Sequence, residues 1–287
     1  MIIQKNRAAV IENIRWAAEQ GEFHAKVEVD DPVLTSKQSS AIVEKYLSRR
    51  PRFSFRCKTL AARLLANIFT SALNRETEII GMEKLSGLTG GAMITSNHFG
   101  PTENTVIRHL IKKLGKKRLN VIAQVSNFAM TGPVGFLMNY ADTIPIAQEP
   151  HYMQREFVSI LQELLKKEEL ILIYPEQEMW FNYRKPRPCK RGAYYYASRL
   201  NVPLISCFVE MRDLPEMDNG EFHKVQFILH ILDVLYPEEG KSIKENSEQM
   251  RQLDYDLKKS AYETAYGKPL EYRFEASDIA GWTGAPS

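Results

Sequence analysis

The chain has 287 residues, 44% of them hydrophobic and 25% charged, and its 38 basic and 35 acidic residues leave a formal charge of +3. That composition excludes a collagen, a coiled coil and a mostly disordered chain, and so small a charge excludes bulk nucleic-acid binding. The length admits one large domain or two smaller ones, with enough buried surface for a sizeable core.

Residues 6–20 read as a helix with Ile11, Ile14 and Ala18 on one stripe. The stretch VEVDDPVLT, ending at Thr35, breaks it. Thr35 or Ser36 then caps a second helix that reaches residue 48 and is ended by Arg49-Arg50-Pro51. The spacing predicts a third helix over 57–73, where Leu60, Leu64, Ile68 and Ala72 recur every four residues and Leu65 and Phe69 widen the stripe. Such a helix either packs on the body or lies among lipid headgroups. It is too short and too polar to span a bilayer: LAARLLANIFTSAL at 60–73 has 14 residues, Arg63 and Asn67 among them, where a span takes about 20.

From residue 76 the rhythm changes. Short apolar runs at 78–80, 92–95, 120–123, 143–146, 170–174, 203–208 and 225–234 alternate with helical patterns near 102–115, 150–168 and 191–200. The alternation argues an α/β fold with a mixed, partly parallel sheet flanked by helices, preceded by an N-terminal helical appendage. In the last run Val225, Phe227, Leu229 and Ile231 alternate with Gln226 and His230, which suggests a half-buried strand, late or at an edge. A helix near 243–265 and a polar tail follow. The expected division is an appendage over 1–55, an α/β domain over 56–242, and a C-terminal helix and tail over 243–287.

Ligand sites in α/β folds gather at the carboxyl ends of strands, and two segments qualify. In the first, a strand ends near Ser96, His98 follows in the loop, and a turn at Gly100-Pro101 can fold Glu103 back toward the imidazole. A carboxylate on one ring nitrogen fixes the tautomer and makes the other nitrogen a better base, able to take a proton from an alcohol. The same residues also fit a plainer role, with Glu103 complementing a helix N-terminus and His98 an ordinary loop residue. In the second segment, Leu170-Ile171-Leu172-Ile173 runs into Tyr174-Pro175-Glu176, and proline cannot continue a central strand. Glu176 emerges there either to accept a hydrogen bond from a polar substrate or as a solvated acid.

Two basic clusters stand out. Arg184, Lys185, Arg187, Lys190 and Arg191 follow Trp180, Phe181 and Tyr183, and guanidinium forks suit phosphate oxygens. A solvated loop explains them equally well. Lys112, Lys113, Lys116, Lys117 and Arg118 read as a solvated helix end, or as a surface that steers an anionic carrier or lipid. His109 reads as structural and Cys207 as core. His151, His223 and His230 have no metal-ligand spacing with Cys189 or Cys207. With Cys57, the cysteines number three and are far apart, so neither a disulfide framework nor structural zinc is expected, and a reducing interior fits best. The first 22 residues lack the apolar run of a secretory leader. A cytoplasmic protein is expected, able to sit peripherally on the inner face of the cell membrane. There is no GxSxG elbow, no P-loop and no GxGxxG to support a serine hydrolase, an NTPase or a dinucleotide enzyme.

Taken in order, Asn97-His98-x4-Glu103, a glycine-containing loop, Tyr174-Pro175-Glu176, Lys190-Arg191-Gly192-Ala193 and Val202-Pro203 resemble the 1-acylglycerol-3-phosphate acyltransferase family, the PlsC-like lysophospholipid acyltransferases, over residues 76–234. The resemblance implies the glycerolipid-acyltransferase type of α/β fold. It implies transfer of a fatty acyl group from a coenzyme A or acyl-carrier-protein thioester to a hydroxyl of a glycerol-phosphate lipid. His98 falls on the family's general base and Glu103 on its orienting acid, usually Asp; Asn97, Gly100 and Pro101 lie in the same motif. Gly132-Pro133-Val134-Gly135 through Asp142-Thr143-Ile144-Pro145-Ile146 looks like the second motif. Glu176 matches the glutamate of Phe-Pro-Glu-Gly-Thr-Arg, and Val202-Pro203 resembles the fourth motif.

Two departures bear on the acceptor. Ala147 or Gln148 stands where the second motif has arginine, and Gln177-Glu178-Met179 replaces Gly-Thr-Arg. Both arginines are associated in the family with the acceptor's phosphate. On this reading acceptor contacts are expected from Asn97, Gly100, Pro101, Glu176, Arg184, Lys185, Arg187, Lys190 and Arg191. No metal and no cofactor are expected, the acyl-CoA or acyl-carrier-protein donor being a substrate. The expected partners are that donor, a lipid acceptor and a membrane surface met through 57–73, with no nucleic acid. The missing arginines favour a glycolipid or cell-envelope precursor as acceptor. A thioesterase, with His98 activating water, and a non-catalytic lipid- or acyl-carrier-binding protein complete the readings.

Overall fold

The structure, a computed structural model, describes residues 7–29 and 32–284. Helices α1 (Arg7–Glu19), α2 (Ser36–Arg49) and α3 (Phe53–Leu73) come first. Then β1 (Glu78–Ile80), β2 (Ala92–Thr95), α4 (Asn104–Lys113), β3 (Leu119–Gln124), α5 (Gly132–Tyr140), β4 (Thr143–Ile146), α6 (Pro150–Gln154), α7 (Glu156–Lys166) and β5 (Leu170–Ile173) alternate. Helix α8 (Gly192–Leu200), the hairpin β6 (Leu204–Met217) and β7 (His223–Leu235), and α9 (Ile243–Tyr266) complete the order.

The strands form one seven-stranded sheet in the order β1-β7-β6-β2-β5-β3-β4. Every neighbouring pair is parallel except β6 and β7. The sheet is therefore mixed and mostly parallel, flanked by helices, as the alternation implies. β5 explains why a central parallel strand reads as a continuous apolar run: Leu170 and Leu172 join the α4-side core, and Ile171 and Ile173 face the α7, α8 and α9 side. β7 is not at an edge, because the short β1 covers it.

Three sequence expectations shift. α3 begins at Phe53, four residues before the expected start at 57, with Arg52 in extended conformation as its N-cap. The pattern over 150–168 is two helices, broken at Arg155. Helix α5 lies outside the helical patterns read from the sequence; Gly135 lets it pack, since a Cβ there would meet the Met130 carbonyl at 2.0 Å.

A third core cluster joins the two ends of the chain. Val10, Ile11 and Ile14 of α1 pack with Trp180, Phe181 and Tyr183 and with Ile279 near the C-terminus. The N-terminal helix thus shares its core with the loop that follows β5.

Helix α9 pins the carboxyl end of β2. It starts in a capping box between Ser242 and Glu245 and stops at Gly267 in left-handed conformation. Midway, Asp254 Oδ2 accepts hydrogen bonds from Thr95 Oγ1 (2.9 Å), the Tyr194 hydroxyl and Lys258 Nζ, all buried. Burial disfavours the Lys258 charge, yet Asp254 and more distant acids hold its pKa above the usual lysine range. Removing one partner strands the other charge, so Lys258→Met should lower stability by about 3–5 kcal/mol. The double variant Lys258→Met/Asp254→Leu should recover most of that loss in urea unfolding; strictly additive losses would deny the coupling.

Candidate active site

β2 ends at Thr95 and the chain leaves the sheet through Ser96, Asn97 and His98. Asn97 is clamped to β6: its Oδ1 accepts from Val209 N (2.8 Å) and its Nδ2 donates to Val209 O (3.1 Å). The chain then bends at Gly100-Pro101 and enters α4. The bend returns the Glu103 carboxylate under its own loop, where Oε2 accepts from Gly100 N (2.8 Å) and Phe99 N while Oε1 meets His98 Nδ1. A carboxylate in this setting accepts, so Nδ1 carries the proton and Nε2 is left as the basic nitrogen. Glu103 is buried, and the His98 side chain keeps 20% of its surface.

The imidazole has a second support. The Tyr174 ring stacks on it at 4.2 Å and 7°, presented by the end of β5. Burial, with Glu103 nearby, holds the Tyr174 phenol well above its usual pKa, so the platform is uncharged. In the sequence Tyr174 stands out only as part of Tyr-Pro-Glu; its ring contact follows from β2 and β5 being adjacent parallel strands.

Glu176 departs from the expected role of acceptor contact. It is buried, and its carboxylate accepts from His98 N (3.1 Å), Arg187 N (2.9 Å) and the Arg187 guanidinium at Nε (3.1 Å) and Nη2 (2.8 Å). Arg187, fully buried, also donates to Phe23 O (3.0 Å) and Glu178 O, and lies over the Trp180 ring. Lys185 is likewise internal, bonded to Asp278 (2.6 Å) and Arg273 O (2.7 Å). Arg184 pairs with Asp213 and stacks on Tyr266. Asn97, Glu176, Lys185 and Arg187 therefore hold the loops together, because buried charges without partners are too costly to keep. Gly100 serves through its backbone N–H. Pro101, Lys190 and Arg191 remain exposed, Arg191 donating to Ser247 Oγ at 2.8 Å.

Gln177 follows Glu176 at φ 69°, a left-handed turn closed by its N–H on Tyr174 O. Glycine takes that conformation without strain, which accounts for a glycine at the corresponding place of the motif Phe-Pro-Glu-Gly-Thr-Arg.

One contributor carried no sequence signal. Residues 23–25 of the N-terminal segment cross the loop after β5: Phe23 O accepts from Arg187, Ala25 O accepts from Trp180 Nε1 (3.0 Å), and His24 Nδ1 donates to Glu176 O (3.3 Å). Burial holds the His24 pKa below the usual imidazole range; the bond to Glu176 opposes that shift and Lys190 and Arg187 reinforce it. Among the described residues no cluster of three or more His, Cys, Asp or Glu is placed to hold a metal ion.

Residues 76–210 match the family model described as Acyltransferase. No curated protein gives a significant match. Six chains of solved structures match, among them the crystal structure of the 1-acyl-sn-glycerophosphate (LPA) acyltransferase PlsC from Thermotoga maritima. That match has a TM-score of 0.51 at 13% identity, covering 93% of this chain and 98% of the other. At so low an identity the likeness is one of fold. The likeness to the Acyltransferase model thus covers residues 76–210, a little under half of the chain, and the mostly parallel seven-stranded sheet has the fold of that PlsC acyltransferase.

Proposed function

We propose that the chain is an O-acyltransferase that moves a fatty acyl group from a coenzyme A or acyl-carrier-protein thioester to a hydroxyl of a lipid acceptor, with His98 as general base. The observation that carries this reading is the His98–Glu103 contact: a carboxylate fixed by two backbone N–H groups holds Nδ1–H and leaves Nε2 free to take a proton. Thioester and alcohol bind together. Nε2 takes the hydroxyl proton as the oxygen attacks the thioester carbonyl carbon. The tetrahedral adduct collapses with cleavage of the C–S bond, and the imidazolium returns its proton to the departing thiolate. Glu103 stabilises the transient imidazolium, and Tyr174 keeps the ring plane fixed.

A specific observation favours a second choice of acceptor. Positions 147–148 and 177–179 hold no arginine, and Lys185 and Arg187 are already committed to internal partners. Of the five basic residues at 184–191, Lys190 and Arg191 are the exposed ones left to meet an anionic headgroup, which supports a glycolipid or cell-envelope precursor beside a glycerol-phosphate lipid.

The third helix supports a peripheral seat on a membrane. Leu60, Leu64, Ile68, Phe69 and Leu73 of α3 are exposed along one flank. An apolar ridge of this kind lies stably in the headgroup–acyl boundary. No helix of the described residues is long and apolar enough to cross a membrane.

Purified protein given a labelled acyl donor and a total lipid extract should yield a new O-acyl lipid by mass spectrometry. Free fatty acid formed without any acceptor would make the protein a thioesterase. His98→Ala should lose about 10²- to 10⁴-fold in turnover, and near-normal turnover refutes the assignment. Arg187→Ala should act through the fold, costing about 3–5 kcal/mol in urea unfolding because Glu176 is left buried and unpaired. A raised acceptor KM with unchanged unfolding would instead return Arg187 to the acceptor.

A further inference from the structure

Between the junction of α2 and α3 and the amino ends of β3 and β4 lies a groove of about 840 Å³. β2, β5, β3 and β4 are parallel, so this groove and the His98 loop are at opposite ends of the sheet. Arg50, Arg56, Arg63, Arg118 and Lys167 line it, against only Asp142 and Glu163. Asp142 is taken by Arg63 through two bonds of 2.7 Å, and Glu163 is shared between Arg50 (2.7 Å) and Lys167 (2.6 Å). Arg118 reaches Glu169 at 3.2 Å. The exposed Arg56 guanidinium has no hydrogen bond or ion pair among the described residues. The excess extends beyond the groove: residues 45–75 hold eight Lys or Arg and no Asp or Glu.

The groove is also amphipathic. Leu47, Phe55 and Ile144 contribute apolar wall, and Leu60 belongs both to the groove and to the exposed ridge of α3 with Leu64 and Ile68. A cationic hollow opening onto an apolar ridge matches one kind of ligand: a phosphate diester with hydrocarbon beside it. Guanidinium forks suit the phosphate oxygens, and the ridge suits the chains. A nucleic acid or an acidic peptide would satisfy the cations but leave the ridge in water. We propose that this groove holds the headgroup of an anionic phospholipid of the membrane surface, a lipid that is held and not acylated. Arg56 is its free phosphate ligand. The inference rests on the membrane seat of α3 proposed above.

The test is co-flotation of the full chain, at low salt, with vesicles of phosphatidylcholine alone or mixed with phosphatidylglycerol. Wild type should prefer the mixed vesicles. Arg56→Glu should weaken that binding about tenfold, with Arg56→Gln intermediate, while Lys45→Glu, outside the groove on α2, should change it less than about threefold. Equal losses from Arg56→Glu and Lys45→Glu would reduce the effect to diffuse surface charge and overturn the site. Equal binding of wild type to both kinds of vesicle would overturn it too. Leu64→Asp/Ile68→Asp reports separately on the seat: binding that survives it sinks the membrane reading of α3. His98→Ala should float like wild type, so failure of acyl transfer and failure of the groove are told apart.

Discussion

Taking Glu176 and Arg187 out of water costs more than their mutual attraction returns unless every polar atom of both finds a partner. Here the partners are the backbones of the surrounding loops. Glu176 receives the N–H of His98 and of Arg187, and Arg187 reaches carbonyls at Phe23 and Glu178. The pair therefore sets the relative positions of three segments: the loop after β2, the loop after β5, and the N-terminal segment. Any slackening of one segment leaves a charge unsatisfied in a dry interior. That penalty is what fixes the backbone of His98, and so the point from which its ring projects.

The ring itself is fixed by independent means. Glu103 holds Nδ1 from one side and Tyr174 covers one face. Glu103 can do this with one methylene more than the aspartate usual in the resembling family, because its other oxygen is tied down by Phe99 and Gly100 N–H groups. The extra length is absorbed by the loop and does not loosen the carboxylate. The division is consistent: Glu176, Lys185 and Arg187, which look like substrate ligands in the sequence, are internal struts, and the proposed chemistry falls to one imidazole with its acid.

The sequence carried the sheet well, because each of its seven strands contains an apolar run between polar breaks, five of them short, and the Asn-His-x4-Glu motif located the histidine and its acid. What was hidden depends on contacts distant in sequence. Nothing in the string Glu22-Phe23-His24-Ala25 announces that it will lie across the loop after β5, since its recognised features are backbone carbonyls that every residue possesses. The basic run at 184–191 was legible as charge but not as burial. Lys185 needs Asp278, 93 positions away, to become internal. The length of the β6–β7 hairpin was also hidden. β6 parts from β2 at Ser206 and runs on to Met217, and its outer half alternates too weakly to be read as strand.

α3 gives the proposed membrane seat a direction. Its amino end borders the basic groove, and its carboxyl cap Asn74 donates to Thr105 at 2.9 Å, two residues beyond Glu103. At about 1.5 Å per residue, the 21 residues of α3 span about 31 Å between those landmarks. A rigid rod of that length, lying in the interface with an anionic headgroup held at one end, would place its other end against the turn that carries Glu103, the acid of the proposed pair. On the function proposed above, a lipid acceptor would then reach the His98 loop laterally, from the leaflet that the rod rests on. In the proposed acyl transfer, one helix that neither spans the membrane nor touches the reacting atoms would in this way set the side from which the acceptor comes.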